Sequence, residues 1–380
     1  MNATLRQDSE WMLRALSLAA QGLGYVEPNP MVGCVLVTKD NVEIGSGYHE
    51  QFGSFHAERN AILDVQNRGN ASQLPGATAY VTLEPCCHHG KTPPCTEALI
   101  QAKVGRVVLA MKDPFSEVAG GGMQSLIEAG IEVVAGVEQA LAEELNAPYL
   151  RRLADQRPWL IGKWAMTLDG KIATHKQDSQ WISSPTSRAY VHKLRSRVDG
   201  VMVGIGTALQ DDPLLTARSL DEIPRVATRI VVDSKARLPL DSKLVQSAEE
   251  FPTLVVVGPN AAPENCEKLS NRGVEVLSLP QYDAQERLAA MMKFLAVEKQ
   301  ATNILCEGGG KLLGSCNDAG FLDELDVFIA PKIVGGLRAT SPVEGNGLGY
   351  VCDSPEFHLL EQQLLEDDIH ARYRRLGKGR

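Results

Sequence analysis

The sequence has no excess of basic residues and no long apolar run. Its 38 lysine and arginine residues are outnumbered by 47 aspartate and glutamate residues, which gives a formal net charge of −9. A long polynucleotide substrate is disfavoured, because binding a phosphate backbone needs a basic surface, although a local basic cleft is compatible with this balance. No uncharged apolar stretch is long enough to span a bilayer, so neither a nucleic-acid nor a membrane partner is expected.

A secretory signal and a disulfide framework are also missing. Residues 1–10 carry Asp8 and Glu10 in place of the apolar core of a signal peptide, which predicts a cytoplasmic protein. The cysteines are spread too unevenly for a disulfide framework; they are Cys34, Cys86, Cys87, Cys95, Cys266, Cys306, Cys316 and Cys352. Only Cys86, Cys87 and Cys95 lie close together, which indicates a metal site, and the other five are expected to be small core residues.

Length and pattern predict two α/β domains. A chain of 380 residues with 44% hydrophobic residues is long enough for two buried cores. Short apolar runs that alternate with helical stretches indicate a layered α/β arrangement in each half. The polar stretch at 147–158 predicts the boundary, which gives domains of residues 1–150 and 151–380. Strands are expected at 31–37, 77–83, 104–111, 200–203, 229–232, 253–257, 303–306 and 325–329.

The order His56-Ala57-Glu58, then Cys86, then Cys95 predicts a catalytic zinc centre. Catalytic zinc takes three protein ligands and keeps a fourth position for water, whose pKa it lowers to about 7. Glu58 diverges from His56 by about 200° on a helix, so it is expected to face the water and transfer its proton. A His-x-Glu pair followed by Pro-Cys-x-x-Cys is the signature of zinc-dependent nucleobase deaminases, and this sequence departs from it because eight residues, instead of two, lie between Cys86 and Cys95.

A purely structural zinc site is the alternative. It would need a fourth protein ligand, for which Cys87, His88 or His89 is available in the sequence. Adjacent cysteine side chains splay apart, so at most one of Cys86 and Cys87 is expected to bind alongside Cys95. The structural reading would also leave Glu58 without a task.

Several motifs of the first half closely resemble the deaminase half of the bifunctional riboflavin-biosynthesis deaminase/reductases. They are Pro28 to Gly33, Gly47-Tyr48-His49, His56-Ala57-Glu58, and Thr82 to Cys95 with its eight-residue gap between Cys86 and Cys95. The resemblance implies a cytidine-deaminase-like three-layer α/β/α domain, with Zn²⁺ on His56, Cys86 and Cys95 and proton transfer by Glu58. It further implies that Asn29 and His49 contact the pyrimidine or its sugar. The family commonly has serine at position 87, which makes Cys87 a bystander.

The second half contains features of a nucleotide site. Glu307-Gly308-Gly309-Gly310 follows a predicted strand, so backbone free of side chains could approach a cofactor pyrophosphate at a helix N-terminus. A simple glycine-rich turn is the alternative. Arg195 and Arg218 could clamp a sugar phosphate with paired hydrogen bonds, although arginine is also common on protein surfaces.

The second half resembles the dihydrofolate-reductase-like α/β domain of the same family. The matching motifs are Lys163 to Lys171, Ser179 to Ser184, Gly206-Thr207, Asp211 to Thr216, Val232 to Ser234 and Glu307 to Gly309. The resemblance implies an NADPH site formed by Ala165, Thr207, Asp211, Ser234, Gly309, Gly310, Lys311, Leu312, Leu313, Gly314 and Ser315. It implies a substrate site formed by Ser179, Trp181, Arg195, Leu215, Arg218 and Glu307.

The resemblance covers nearly the whole chain and implies two consecutive reactions on a small pyrimidine ribosylamine 5′-phosphate. Zinc-dependent hydrolysis would deaminate 2,5-diamino-6-(5-phosphoribosylamino)pyrimidin-4-one. NADPH would then reduce the ribosyl group of 5-amino-6-(5-phosphoribosylamino)uracil to ribityl. A homodimer through the second half is also expected. The alternatives are a tRNA or nucleoside deaminase with an unrelated C-terminal extension, and a zinc-stabilised nucleotide-binding regulator without catalysis.

Overall fold

The computed structural model describes residues 3–87, 93–114 and 121–377. The chain forms two compact units, Met1–Asp155 and Gln156–Arg380. The sequence placed the boundary after residue 150, which lies inside the helix Ala147–Asp155, and the division follows the end of that helix. In the part of the chain that the structure describes, no helix combines the length and the apolar character needed to cross a lipid bilayer.

The first unit is built around one five-stranded sheet. Its elements are α1 (Ala3–Ala19), β1 (Gly33–Val37), β2 (Glu43–Tyr48), α2 (Ala57–Asn67), β3 (Thr78–Leu83), α3 (Cys95–Gln101), β4 (Arg106–Met111), α4 (Gly121–Glu128), β5 (Glu132–Ala135), α5 (Gln139–Leu145) and α6 (Ala147–Asp155). The strand order is β2-β1-β3-β4-β5. The pairs β1–β2 and β1–β3 are antiparallel, and β3, β4 and β5 are parallel.

Alternation along the strands gives this sheet two buried faces. Leu36, Val107 and Leu109 pack with residues of α2, α3 and α4 on one face. Val35 and Val108 pack on the other face with residues of α1 and α5. Because successive strand residues point to opposite faces, both faces need a helical cover, and a three-layer α/β/α unit results.

The contact between α2 and β2 brings the start of α2 to the edge of the sheet. A Cβ at Gly47 would lie 2.5 Å from the backbone nitrogen of Ala61, so only glycine allows this approach. The interrupted apolar pattern of β2 explains why the sequence did not predict this strand. The close packing fixes the position of His56 and Glu58 at the N-terminus of α2.

The second unit contains a nine-stranded sheet. Its elements are β6 (Trp159–Thr167), α7 (Pro185–Arg195), β7 (Gly200–Gly204), α8 (Ile205–Asp211), β8 (Thr228–Val232), α9 (Lys243–Gln246), β9 (Thr253–Val257), α10 (Pro263–Ser270), β10 (Glu275–Ser278), α11 (Ala284–Val297), β11 (Asn303–Cys306), α12 (Gly310–Asp318), β12 (Leu322–Ala330), β13 (Phe357–Leu365) and β14 (Asp368–Arg375). The strand order is β10-β9-β8-β7-β11-β6-β12-β14-β13. The first seven strands are parallel, whereas β14 and β13 extend the sheet with antiparallel pairing.

Helices cover both faces of the parallel region. Met202, Ile230 and Leu254 pack against α11 and α12 on one face. On the other face, Val203 and Val231 pack against helices that include α8 and α9. The chain moves from β6 to β7 in one direction along the sheet and from β11 to β12 in the other. In such α/β sheets, ligands bind at the carboxyl ends of the strands beside the point where the order reverses.

Candidate metal centre and reductase site

Three side chains predicted as metal ligands converge in the first unit. The Nδ1 atom of His56 lies 3.6 Å from Cys86 Sγ and 3.4 Å from Cys95 Sγ. All three candidate ligand atoms lie within 4.8 Å of one another. Ligand atoms at the usual Zn–S and Zn–N distances lie about 3.6 Å apart around one tetrahedral ion. The separations and the set of one imidazole and two thiols therefore fit Zn²⁺.

Each ligand sits where a regular element begins or ends. His56 is the N-cap of α2, and Cys95 is the first residue of α3 after Pro94. Cys86 follows β3, and its carbonyl oxygen accepts hydrogen bonds from the backbone nitrogen and hydroxyl of Thr96. The long segment between the two cysteines is thus closed by contacts between its two ends. The structure describes this segment only in part.

The pKa values of the two cysteines shift in opposite directions. A hydrogen bond from the Cys95 thiol lowers the pKa of Cys86 to about 4, and the same bond raises the pKa of Cys95. The Cys95 backbone N–H also donates to Cys86 Sγ at 3.3 Å. A divalent cation bound by both sulfurs would replace the Cys95 proton, so that both cysteines bind as thiolates.

Glu58 lies in the first turn of α2, buried beside the ligands. Its carboxylate is not a member of the ligand group, in agreement with the rotation expected between His56 and Glu58. Burial raises the pKa of Glu58, and the charge of Cys86 acts in the same direction. A carboxyl group with a raised pKa is suited to both accept and donate a proton near neutral pH.

Asn29 and His49 also reach this site. Asn29 Nδ2 lies 3.2 Å from His49 Nε2, and His49 Nδ1 lies 3.0 Å from the carbonyl oxygen of Phe55. A neutral His49 that donates from Nδ1 and accepts at Nε2 satisfies both contacts, and burial lowers its pKa accordingly. The His49 ring meets the His56 ring edge-on, with centroids 5.2 Å apart.

Asn146, which the sequence did not single out, fixes the loop that carries Asn29. Its side-chain Oδ1 accepts from the backbone nitrogen of Met31 at 2.8 Å, and its Nδ2 donates to the Met31 carbonyl at 3.0 Å. Asn146 is buried, so both polar ends of its amide depend on Met31. No local motif marks this contact, because the two residues are 115 positions apart.

Cys87 lies apart from the cluster. Among the described residues, the metal-binding group comprises His56, Cys86 and Cys95 without Cys87. A Cβ at Gly121 would lie 2.9 Å from Cys87 Sγ, which places this sulfur against the first residue of α4. The other two candidates for a fourth ligand, His88 and His89, lie outside the described residues.

In the second unit, most residues predicted to bind NADPH lie at the carboxyl ends of β6, β7, β8 and β11. A Cβ at Gly309 would lie 3.1 Å from Thr207 Oγ1, so the turn after β11 adjoins the start of α8. Asp211 at the end of α8 accepts a hydrogen bond from Ser179 Oγ at 3.4 Å. Ala165 lies near the end of β6, and Ser234 follows β8. This edge of the sheet is where the reversal of strand order predicts a ligand.

The segment from Gly309 to Ser315, which the resemblance places at the cofactor, is helical from Gly310 onward, in agreement with the helix N-terminus expected there. Gly309 is the N-cap of α12, and the backbone N–H groups in the first turn of this helix can bind an anion. Leu312 and Leu313 belong to the hydrophobic core. Their side chains therefore do not face a cofactor, and Lys311 and Ser315 lie on the same helix. Gly314 packs too closely on Glu344 to carry a Cβ, which would lie 2.2 Å from the Glu344 carbonyl group.

Arg195, predicted as a phosphate clamp, is bound by a buried carboxylate. Its Nε and Nη2 donate to the two oxygens of Glu307 at 2.6 and 2.9 Å, and its Nη1 donates to the carbonyl of Thr216 at 3.3 Å. Lys163 Nζ lies 3.2 Å from the same carboxylate. Burial acts to raise the pKa of Glu307, but Arg195 and Lys163 hold it well below its usual range. Two N–H groups of the Arg195 guanidinium are thus already paired with Glu307 and are not free to bind a phosphate.

The remaining predicted substrate residues lie on separate segments of the second unit. Trp181 is 62% exposed, and the guanidinium of Arg188 stacks 4.5 Å from the centre of its ring. Leu215 is buried with a left-handed backbone at φ 55°, an uncommon conformation for a leucine. Arg218 is exposed. The sequence marked Lys163 only as the start of a motif. Lys163 lies beside Glu307 because β6, which contains Lys163, pairs with β11, which ends just before Glu307.

Two family models match the chain. The model described as "RibD C-terminal domain" matches residues 158–371, and the model described as "Cytidine and deoxycytidylate deaminase zinc-binding region" matches residues 5–111. The riboflavin biosynthesis protein RibD of Actinobacillus pleuropneumoniae is 39% identical over 366 residues, which cover 96% of this chain and 95% of that protein. The protein of the same name from Escherichia coli is 39% identical over 375 residues, with 96% and 98% covered.

Solved structures agree over the same extent. Acinetobacter baumannii RibD is similar with a TM-score of 0.85 and 36% identity, over 98% of this chain and all of that one. A Thermotoga maritima protein, described as a diaminohydroxyphosphoribosylaminopyrimidine deaminase/5-amino-6-(5-phosphoribosylamino)uracil reductase, has a TM-score of 0.83 and 33% identity over 98% of this chain. These matches confirm the predicted fold classes and remove the alternative of a deaminase with an unrelated extension. The chain therefore belongs to the RibD family of riboflavin-biosynthesis enzymes, in which one polypeptide carries a deaminase and a reductase.

Proposed function

We propose that this chain hydrolytically deaminates 2,5-diamino-6-(5-phosphoribosylamino)pyrimidin-4-one and then reduces the ribosyl group of the resulting 5-amino-6-(5-phosphoribosylamino)uracil. The observation that carries the deaminase assignment is the convergence of His56, Cys86 and Cys95 beside the buried Glu58. The substrate assignment is supported by the activities for which the Thermotoga maritima relative is named, since that protein matches the chain over both units.

In the deaminase site we assign the metal ligands to His56, Cys86 and Cys95. When bound, zinc supplies a Lewis acid that makes water nucleophilic near neutral pH. Glu58 would take one proton from the attacking water and deliver it to the ring nitrogen. It would then take the second proton from the hydroxyl group added to the ring carbon and deliver it to the amino group, which leaves as ammonia as the C–N bond breaks. Its buried position and raised pKa support this two-way transfer.

Asn29 and His49 orient the substrate in this proposal. Asn29 donates one amide hydrogen to His49, and we assign its Oδ1 as an acceptor for the pyrimidine. Burial lowers the pKa of His49 and favours its neutral form, in which Nδ1 donates to the carbonyl oxygen of Phe55 and Nε2 can accept from Asn29. We assign no role in metal binding to Cys87, whose sulfur packs against α4.

In the reductase site we assign NADPH to the carboxyl ends of β6, β7, β8 and β11. NADPH, when bound, supplies the hydride, and the protein contributes positioning. The N-terminal turn of α12, with the backbone of Gly309, Gly310 and Lys311, would bind phosphate together with Thr207. We propose that Ala165, Asp211 and Ser234 line the rest of the cofactor site, with backbone contributions from Leu312 to Ser315.

The reductase substrate is assigned to the surface around the Glu307 ion pair. Glu307 fixes Arg195 and Lys163, so that their remaining N–H groups point in set directions. Arg218 is the exposed cation that we assign to the sugar phosphate. We propose that Ser179, Trp181 and Leu215 form the remaining contacts.

The decisive experiment supplies the diaminopyrimidinone phosphate and records ammonia release and NADPH oxidation together. Wild-type protein should give both signals. Glu58→Gln should keep its zinc, measured by metal analysis, and lose ammonia release by about 100-fold or more, while NADPH oxidation of supplied 5-amino-6-(5-phosphoribosylamino)uracil continues. Glu10→Gln, on the exposed surface of α1, is the matched control. Full deamination by Glu58→Gln would refute the assignment of Glu58.

We also infer a homodimer through the second unit and a cytoplasmic location. Large apolar side chains are exposed on this unit, including Leu337, Tyr350, Val351 and Leu364, which supports burial against a second copy. All eight cysteines are free, and the two proposed thiolate ligands need a reducing compartment. Light scattering of the purified protein tests the dimer, and a monomer at micromolar concentration would refute it.

A further inference from the structure

The segment that follows β12, residues 332–346, borders the loop that carries Trp181, and we call this segment the strap. Near its start, Lys332 Nζ donates to the carbonyl oxygen of Trp181 at 2.5 Å. Farther along, Thr340 forms an isolated antiparallel bridge with Ala173. One side of the strap is therefore bonded to the segment from which the candidate substrate contact Trp181 projects.

The far end of the strap packs on the first two turns of α12. The Glu344 backbone nitrogen donates to the Gly310 carbonyl at 3.0 Å. A Cβ at Gly310 would lie 2.6 Å from the carbonyl oxygen of Ser341, and one at Gly314 would lie 2.2 Å from that of Glu344. The strap consequently forms a wall of the helix N-terminus that we assign to the cofactor phosphate.

Asp169 joins the strap to the turn after β6. Its carboxylate accepts from Thr167 Oγ1 at 2.6 Å, from the Val334 backbone nitrogen at 3.1 Å and from the Gly335 backbone nitrogen at 2.7 Å. Two successive backbone N–H groups around one anion form a nest. The Thr167 hydroxyl and then these amides lower the pKa of Asp169 to about 2, so the carboxylate is charged in the neutral range.

This arrangement differs from an aspartate that only closes its own turn. Such a residue bonds to its immediate neighbours in sequence, as Asp169 does with Thr167. The bonds to Val334 and Gly335 instead span 165 and 166 positions. Gly335 has a φ of 67°, which lets the strap turn its N–H groups toward the carboxylate.

We propose that Asp169 is a positioning residue of the reductase: by holding the strap, it fixes both the Trp181 loop and the N-terminal turn of α12 for substrate and NADPH. The inference rests on the proposed reductase function of the second unit. Asp169 acts through Lys332 at one end of the strap and through Glu344 at the other. Loss of the bonds between Asp169 and the strap should therefore weaken binding of substrate and NADPH more than it slows the chemical step.

The test is Asp169→Asn in the full chain. Asparagine keeps the size of the side chain but places an NH₂ group against one of the strap amides, so one bond is lost and one donor is opposed. We expect the KM values for NADPH and for 5-amino-6-(5-phosphoribosylamino)uracil to rise about tenfold, with kcat changed less than about twofold. Trypsin cleavage after Lys332 and Arg338 should accelerate about tenfold, and ammonia release should stay unchanged.

Two further variants keep the test decisive. Glu267→Gln removes an exposed acid on α10 and should change none of these quantities. Gly335→Ala leaves Asp169 intact and has no atom within 4 Å of the new Cβ, but it strains the backbone at φ 67°. It should raise the two KM values in the same direction by a smaller factor.

Unchanged KM values and trypsin rates in a folded Asp169→Asn protein would overturn the proposal. A loss of kcat that accompanies a lower melting temperature, with KM unaltered, would also overturn it, because that pattern belongs to a purely structural residue. If wild-type protein fails to oxidise NADPH, the proposed function fails by itself. The trypsin rates, with and without NADPH, then still decide whether Asp169 holds the strap.

Discussion

Replacing Asn146 by aspartate tests whether the deaminase depends on a residue that does not touch the metal ligands. The substitution keeps the shape of the side chain. One oxygen can still accept the Met31 N–H, but the other replaces Nδ2 and faces the Met31 carbonyl oxygen at about the former hydrogen-bond distance of 3.0 Å. Two acceptors then repel each other in a buried position.

The cost follows from these two bonds. One hydrogen bond is lost and a buried carbonyl is left opposed, which together amount to about 2–3 kcal/mol. The loop can relieve this by moving Met31, which displaces Asn29 and its contact with His49. A displacement of about 1 Å at a positioning residue can cost 100-fold, so we expect deaminase kcat/KM to fall about 10- to 100-fold.

The pH dependence of the stability of Asn146→Asp is a second, independent test. Burial beside a carbonyl raises the folded pKa of the new aspartate above its unfolded value, because only the protonated form can donate to Met31. A raised pKa gives stability that is present at low pH and lost as the pH rises through the folded pKa. The difference in free energy of unfolding between wild type and variant should therefore shrink as the pH falls.

The assay measures ammonia release and NADPH oxidation on the same preparation. The reductase rate with supplied 5-amino-6-(5-phosphoribosylamino)uracil serves as an internal control for concentration and folding. Asn271→Asp makes the same change at the C-cap of α10 and corrects for a negative charge at a helix C-terminus. Equal deaminase rates in Asn146→Asp and Asn271→Asp would refute the positioning role of Asn146.

Three other predictions concern stability and metal. Glu307→Gln should destabilise the protein by about 3–5 kcal/mol, because Arg195 stays buried without its carboxylate. Since the pKa of Glu307 is depressed, the difference in free energy of unfolding between wild type and variant should be constant above about pH 5 and shrink only in acid. Urea unfolding at several pH values measures this difference. Arg229→Lys should lower the free energy of unfolding by about 3 kcal/mol in the same assay, because a single ammonium cannot replace the hydrogen bonds of a fully buried guanidinium to several carbonyls. A change below about 0.5 kcal/mol would contradict this. Removing metal with a chelator should abolish ammonia release, spare NADPH oxidation of supplied 5-amino-6-(5-phosphoribosylamino)uracil, and be reversed by Zn²⁺; parallel loss of both activities would contradict separate sites.

The metal centre could be predicted because each ligand is next to a readable boundary of a helix or strand. Cys95 follows Pro94 at a helix start, and His56 directly precedes a helical pattern. Cys86 comes after an apolar strand. Such boundaries are encoded within a few residues, so spacing along the chain translated into a cluster in space.

The sequence predicted a helix N-terminus after β11, but it did not show why glycines stand there. Gly308, Gly309 and Gly310 have low helical propensity. Helix α12 begins at Gly310, where the strap occupies the space that a Cβ would need. The requirement for glycine thus comes from a segment about 30 residues later in the chain, which no local pattern reports. Strands β13 and β14 were not predicted because polar and charged residues, such as the cross-strand pair Glu361 and Arg372, interrupt any apolar run.

Asn146 and Asp169 mark the limit of prediction from sequence in physical terms. Each is a polar side chain that bonds to backbone groups more than 100 positions away. Nearly every residue has a backbone donor and acceptor, so the sequence around the bonded backbone groups does not reveal such a contact. Both residues act on a loop that carries a candidate ligand contact, Asn29 in one unit and Trp181 in the other. A loop must be solvated to admit substrate and yet ordered to hold it, and a distant side chain that bonds its backbone meets both demands without occupying the site. Candidate substrate contacts can therefore be proposed from motifs, whereas the residues that hold them in place have to be found in the fold.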